Sequence, residues 1–302
     1  MSGSDLPAAA TWGRLATFMA VYETGSVRAA AETLHVTPPA VSAAIAALDD
    51  ALGTPLFGKA GRGIVPTDAG EIFAGYARKL RGLLAEAAGA VRDADRGRVR
   101  IGSVATASEY VLPGLMASFI EQHPHVEMSL SVLPRDELFA RAADHAFDVV
   151  LAGRPPRVSG LVTRARRANR LVVVGRPNLA GDPVTMTWLL TGVGSGTRDT
   201  ALSLLTRLQV SPPLLTLGTS GAAVAAARQG LGVTLVHEEA VRGYLASGEL
   251  VSYAVSGTPL DRPWQLCTGT EPTAATRLFV QHVCDARRVG AEAFHTRHRP
   301  QG

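Results

Sequence analysis

The sequence predicts an α/β protein in three parts: a small winged helical unit at the N-terminus, one long helix, and two lobes of alternating strand and helix. Three observations carry that prediction. A broken pair of short helices precedes two extended pieces around a glycine-rich turn; apolar residues then recur in steps of three and four from Phe73; and from residue 97 short β-rich runs alternate with helical ones.

The first part is organised around residues 26–50. Ala29, Ala30 and Leu34 give a short helix a buried face, and the pattern breaks between His35 and Thr37. Thr37 is a natural N-cap, and Pro38 stands at the first helical position, where its missing N–H costs nothing. Val41, Ile45, Leu48 and Leu52 then fall at helical spacing, so one side of the second helix is committed to a core and the other is free to face a partner. An Ala-rich hairpin of this kind also fits plain core. Its surroundings complete a helix-turn-helix with a wing: Leu15, Phe18 and Val21 predict a preceding helix, and extended pieces flank Gly61, Arg62 and Gly63.

The long helix is predicted from Thr67 to Arg96, with Phe73, Tyr76, Leu80, Leu83, Ala87 and Val91 along one side. Such a row suits either packing against its own domain or a seam between two copies. We read it as the seam, since a helix between domains has little of its own chain to cover it. Asp68 and Glu71 suit the positive end of its dipole. Beyond it, strands are expected at 99–104, 127–133 and 147–153, with helices at 110–122 and 137–143. A second series follows, with strands at 171–175, 214–218 and 233–236 and helices at 197–208 and 220–229. Strand 264–268 and a helix through Leu278, Val280 and Val283 would return to the first lobe. The boundaries that follow are 1–66 for the winged unit, 67–96 for the linker and dimerisation helix, and 97–302 for the lobes. Lobe I then covers about 97–168 and 264–290, and lobe II about 169–263. Residues 1–11, rich in Ala, Ser and Pro, predict no element.

Bulk properties narrow the class. The 302 residues and 46% hydrophobic content suit a soluble globular protein of two or three compact units, with no run near the roughly 20 apolar residues of a membrane span and no secretory signal. The expected location is the cytoplasm. Cys267 and Cys284 offer neither a disulfide framework nor metal-ligand spacing, so no metal or cofactor is expected. The net charge of +4 suggests an anionic partner, yet residues 1–66 carry Arg14, Arg28, Lys59 and Arg62 against Asp5, Glu23, Glu32, Asp49 and Asp50, a net charge of −1. The excess lies instead in Arg154, Arg157, Arg164, Arg166, Arg167, Arg170 and Arg176, within a stretch free of acidic residues.

The motifs of the N-terminal part resemble the DNA-binding domain of LysR-type transcriptional regulators. Leu15/Phe18, Gly25/Ser26/Ala29/Ala30, Val41/Ser42/Ile45/Leu48, Leu52/Gly53/Leu56/Phe57 and Thr67/Gly70 all match that family's pattern. The lobes resemble its effector domain, of the periplasmic-binding-protein type, through Arg100-Ile-Gly102, Leu112-Pro113, Phe119, His123-Pro124, Phe147-Asp148, Gly230 to Leu235 and Gly248-x-Leu250. Gly153 to Pro156, Gly194 to Arg198 and Arg262-x-Trp264 look most like the subgroup regulating carbon-fixation operons, which responds to phosphorylated sugars or reduced nucleotides. The resemblance implies a ligand-responsive regulator with these partners: a double-stranded DNA operator, a small and anionic effector, further copies of itself as a homodimer or homotetramer, and RNA polymerase.

Candidate site residues follow. For DNA they are Ser26, Arg28, Thr37, Pro38, Pro39, Ser42, Lys59 and Arg62. The recognition helix lacks bidentate donors: Pro39, Ala43, Ala46 and Asp50 lie opposite its apolar side, and Asp49 and Asp50 would meet phosphates unfavourably. Specificity is therefore expected from DNA shape, dimer spacing and the wing. For the effector, the carboxyl ends of strands and the helix starts beside them point to Ser103, Thr106 and Ser108, to Ser195, Thr197 and Arg198, and to Thr219 and Ser220. Arg198 is read as the counter-charge of a glycine-turn anion cradle, and family position adds Arg135. Serines and threonines at helix starts also serve simply as caps. Arg164 and Arg166 suit either an anion pocket or a solvated strand edge. His237, with Glu238 and Glu239, reads as a cap or surface group. No nucleophile elbow, H-E-x-x-H or phosphate loop of the Walker type occurs, so an enzyme is not expected. The alternative is a ligand-binding protein of this fold with weakened or lost sequence-specific DNA binding.

Overall fold

The computed structural model describes residues 11–60, 63–90, 96–157 and 159–296. The chain divides into two compact units, residues 1–84 and 85–302. In the first, α1 (Trp12–Thr24), α2 (Val27–Leu34) and α3 (Pro38–Leu52) precede the antiparallel hairpin of β1 (Phe57–Ala60) and β2 (Gly63–Pro66). Helix ends follow local chemistry. Gly25 stops α1 in the left-handed region at φ +63°, donating its N–H to the Val21 carbonyl, and Gly53 stops α3 at φ +68°. Ser26 caps α2 by accepting from the Ala29 N–H at 3.4 Å. Phe18 centres the core, edge-on to Phe73 with centroids 4.8 Å apart, among Leu15, Met19, Leu48 and Leu56. Val41 and Leu48 are buried as the spacing predicts, Ile45 is half-buried, and Leu52 is exposed.

Helix α4 (Asp68–Ala90) starts on a tight joint. Thr67 accepts from the Gly70 N–H at 3.1 Å, donates its hydroxyl to the Pro55 carbonyl at 2.8 Å, and donates its N–H to the Leu56 carbonyl at 3.0 Å. The expected seam shifts at its start. Phe73, with Ala74 and Ala77, packs into the unit's own core, and the exposed apolar row is Ile72, Tyr76, Leu80 and Leu83, between 52 and 65% exposed. Ala87 is exposed, and Val91 lies outside the described residues.

In the second unit, lobe I is built from β3 (Arg98–Ser103), α5 (Ala105–Tyr110), α6 (Leu112–Gln122), β4 (Glu127–Val132), α7 (Arg135–Ala143), β5 (Val149–Ala152) and β6 (Val162–Arg167). Lobe II follows with β7 (Arg170–Gly175), β8 (Trp188–Leu190), α8 (Gly196–Arg207), β9 (Leu214–Thr216), α9 (Ser220–Arg228), β10 (Thr234–His237), α10 (Glu238–Ser247), β11 (Val251–Ser252) and β12 (Leu260–Asp261). The chain then returns to lobe I as β13 (Trp264–Thr268), α11 (Ala274–Cys284), α12 (Ala286–Val289) and β14 (His295–Thr296). Lobe I has sheet order β14-β6-β13-β5-β3-β4, with β13 wedged antiparallel between β5 and β6. Its parallel part, β4-β3-β5, packs on Leu112, Leu115, Phe119 and Phe279. The lobes are joined twice, between β6 and β7 and between β12 and β13.

Two expectations change. The helix placed at 110–122 is α6, with Pro113 in its first turn as an N-terminal proline can be, and a further short helix, α5, precedes it and ends at Val111. Lobe II is not an all-parallel sheet: β7 is flanked antiparallel by β10, β11 and β12, while β8 and β9 pair in parallel beside it. The cause is the connection itself, because β7 arrives directly from lobe I and so runs against the strands wound within lobe II. No helix among the described residues is long and apolar enough to cross a membrane.

Candidate functional site

The first candidate surface is the start of α3. Thr37, Pro38, Pro39 and Ser42 are all exposed, together with Ala43, Ala46 and Asp50. Thr37 occupies the N-cap position, yet its hydroxyl makes no cap hydrogen bond, contrary to the expected cap. Asp49, expected to face phosphates, turns inward and accepts the Leu56 N–H at 2.9 Å, fixing the turn after α3. Ser26 is used as the α2 cap, and Arg28 is exposed beside Glu32 at 3.3 Å, a surface pair of small worth. Lys59 is exposed on the wing, opposite Ile64, and Arg62 lies outside the described residues. Lys59→Ala should weaken binding to every DNA sequence and lower the salt-dependence slope by about one. Filter binding across salt concentrations checks this; loss confined to one operator would contradict it.

The second is a cavity of about 670 Å³ between the lobes of the second unit. Lobe II supplies two helix starts. At α8, Gly194 takes φ +83° and Ser195 stands at the N-cap with no side-chain cap bond, leaving first-turn N–H groups open. At α9, Thr219 caps by accepting from Ala222 N–H at 3.1 Å, and the Ser220 hydroxyl lies 3.5 Å from that of Thr106 in lobe I. Thr197 also lines the space, and so does Thr191, whose buried hydroxyl oxygen has no hydrogen-bond partner among the described residues. Four arginines face the cavity, Arg135, Arg154, Arg157 and Arg262, against one carboxylate, Glu109. Arg135 is braced by donating to the Arg154 carbonyl at 2.9 Å and lies over the Phe139 ring at 5.0 Å. Arg262 donates to the Thr200 hydroxyl at 2.9 Å.

Of the residues expected here, Thr106, Arg135, Ser195, Thr197, Thr219 and Ser220 come together at this cavity. Ser103, Ser108 and Arg198 do not line it. The Ser103 hydroxyl is fully buried and donates to the Leu151 carbonyl at 3.0 Å, and that of Ser108 donates to the Ala105 carbonyl at 2.7 Å. Arg198 turns back to the Thr191 carbonyl and the Thr216 hydroxyl, both at 3.0 Å, tying β8 to β9. The expected counter-charge is thus turned toward the strands and not into the cavity. The arginine-rich stretch is mostly spent on structure: Arg164 donates to Thr268 and two carbonyls, Arg167 pairs with Glu239 and Glu292, Arg170 with Glu238, and Arg166 lies away from the cavity. Only Arg154 and Arg157 of that stretch reach the cleft.

Sequence reasoning missed His237 as a cleft residue. It ends β10, stacks on Trp264 with centroids 4.4 Å apart, and lines the cavity beside Arg262. Burial, and then the Arg262 charge, pull its pKa from the ordinary 6.5 down to about 4. An unfolded chain binds that proton more readily, so the stabilisation is complete above pH 6.5 and is lost as pH falls toward 4. Denaturant melts at pH 7 and pH 4.5 should show a loss on the order of 3 kcal/mol traceable to this group, reduced in His237→Gln; an equal loss in both proteins would contradict it.

Residues 12–71 match the bacterial regulatory helix-turn-helix protein of the lysR family, and residues 92–288 match the LysR substrate binding domain. The chain is 30% identical to a RuBisCO operon transcriptional regulator of Acidithiobacillus ferrooxidans, over 93% of this chain and 96% of the relative. It is 31% identical to the HTH-type transcriptional regulator CfxR of Cupriavidus necator, over 85% of each. A full-length OxyR of Pseudomonas aeruginosa has the same fold, with a TM-score of 0.70 at 18% identity over 96% of this chain and 99% of that one. The chain belongs to the LysR family of bacterial transcriptional regulators.

Proposed function

We propose that this LysR-type regulator senses a small anionic metabolite in its interlobe cleft and passes the change to a promoter without catalysing a reaction. The observation that supports it is the concentration of Arg135, Arg154, Arg157 and Arg262 around the uncapped start of α8 and the Thr219-capped start of α9, with Glu109 the one carboxylate there among the described residues. The contacts proposed for the effector are Thr106, Arg135, Ser195, Thr197, Thr219 and Ser220, joined by the arginines at 154, 157 and 262. One relative is named a RuBisCO operon transcriptional regulator, and the subgroup motifs Gly153 to Pro156 and Arg262-x-Trp264 fall on this cleft. That favours a phosphorylated metabolite of carbon fixation over a neutral ligand. Pairing of α4 along Ile72, Tyr76, Leu80 and Leu83 would present two recognition helices to a palindromic operator, with RNA polymerase as the downstream target.

Calorimetry with sugar phosphates, nucleotides and dicarboxylates, set against neutral aromatic compounds, tests the reading. Binding of one anionic class, weakened at least tenfold in Arg154→Ala, is the expected result. Binding of neutral aromatics alone would overturn it. The polar-poor face of α3 favours a second reading, in which sequence selection is weak and the ligand-binding function dominates.

A further inference from the structure

We propose that His237 is a specificity-determining contact of the cleft, a neutral imidazole that presents Nε2–H to an acceptor oxygen of the effector. This rests on the reading of the cleft as an anion site and names one of its contacts. Asn169 stands on the first crossing between the lobes, and Arg262 on the second. The Asn169 Nδ2 atom lies 2.8 Å from the Arg262 carbonyl oxygen and 2.7 Å from His237 Nδ1. A carbonyl oxygen can only accept, so the amide nitrogen, and not the amide oxygen, faces this side. That nitrogen donates one hydrogen to Arg262 and the other to His237, and Nδ1 is therefore the unprotonated ring atom. A neutral imidazole then carries its hydrogen on Nε2.

Nothing among the described residues hydrogen-bonds to Nε2, and the ring lines the cavity. Turning the ring over would put carbon where Nδ1 meets Asn169. The ring is also held by its stack on Trp264, whose Nε1–H donates to Glu239 at 3.2 Å. The charges around it are fixed: Glu239 pairs with Arg167 and Arg242, Glu238 pairs with Arg170, and Arg262 is the cation at the cleft side. Burial and Arg262 together keep the ring neutral near pH 7. The division of labour follows. The arginines supply charge, while Nε2–H supplies direction: a ligand with no acceptor at that point leaves a donor that lines the cleft unmatched. Because Asn169 and Arg262 sit on the two crossings, a ligand bound to His237 also touches the joint between the lobes.

The test uses the full-length protein with histidine labelled in nitrogen-15, and fructose 1,6-bisphosphate as the probe. Long-range nitrogen–proton spectra at pH 7 should show one histidine in the Nε2–H form, assigned by its disappearance in His237→Phe or His237→Gln, and shifted by the probe. In calorimetry His237→Phe, which keeps the stack but loses both hydrogen bonds, should bind the probe about tenfold more weakly or worse. His237→Gln, with an amide N–H near the position of Nε2–H, should recover most of that loss. An Nδ1–H pattern, or equal affinity in wild type and both variants, overturns the proposal. Absence of any heat with the wild-type protein from this probe, from nucleotides and from dicarboxylates alike overturns the anion reading itself, and this proposal falls with it.

Discussion

Replacing Leu80 with glutamate should convert the regulator to a monomer and remove its tight binding to operator DNA. Leu80 lies in the middle of the exposed row on α4, with Tyr76 one turn before it and Leu83 one turn after. Alone, the row leaves large apolar side chains in water; pairing two copies removes them, at about 25 cal/mol for each Å² buried. A glutamate in that seam would have to be desolvated against its own symmetry mate, a cost of several kcal/mol that the remaining contacts do not offset. The folded state of each copy should hardly change, since Leu80 takes no part in the packed core around Phe18. Sedimentation should show the mass of a single chain with an unchanged far-UV spectrum. Persistence of the dimer would place the interface elsewhere.

The second large effect is expected at Gly70. An added Cβ there would stand 2.0 Å from the Leu56 carbonyl oxygen and 3.2 Å from the Pro66 Cβ. Real contacts do not approach so closely, so the start of α4 must separate from the loop ahead of β1. That movement breaks the three Thr67 hydrogen bonds and opens the core beside Leu56. Gly70→Ala should destabilise the winged unit by about 3 kcal/mol, lowering its melting temperature by roughly 12–24 °C. Gly75, on the same helix with open space around its Cα, is the control: Gly75→Ala should stabilise by up to about 1 kcal/mol. Similar melting of both variants would show that helix propensity, and not the close approach, governs this joint.

These two positions also show how much could be read without coordinates. Thr67 and Gly70 were visible as a motif, and local chemistry explains why: a cap and a close approach each demand one residue type. The recognition helix was legible for the same reason, from Pro38 at its start to the glycine at its end. Helix α4 was legible as a helix but not in rotation, because Phe73 and Ile72 are both apolar and only the position of Phe18 decides which faces inward. In the cleft, residues at helix starts could be named from strand-helix order, which is why Thr106, Ser195, Thr219 and Ser220 were found. Arg198 could not be excluded, since its partners, Thr191 just after β8 and Thr216 at the end of β9, are brought together by tertiary pairing. His237 was hidden for a related reason. Its meaning depends on Asn169 and Trp264, one at each crossing between the lobes and far apart in sequence. Helix α10 was missed because it follows β10 without an intervening loop and its N-cap position carries a histidine that makes no cap bond.

The exposed side of the recognition helix carries Pro38, Pro39, Ala43, Ala46, the hydroxyls of Thr37 and Ser42, and Asp50, and we therefore assign selection to shape, spacing and the wing. A gel-shift titration of the full-length protein against the DNA upstream of its own gene, repeated across salt concentrations, tests that account most directly. Tight binding restricted to one site, outlasting the salt concentration that removes binding to random DNA, is the predicted result. Weak binding, equal on random DNA at every salt concentration, would contradict it.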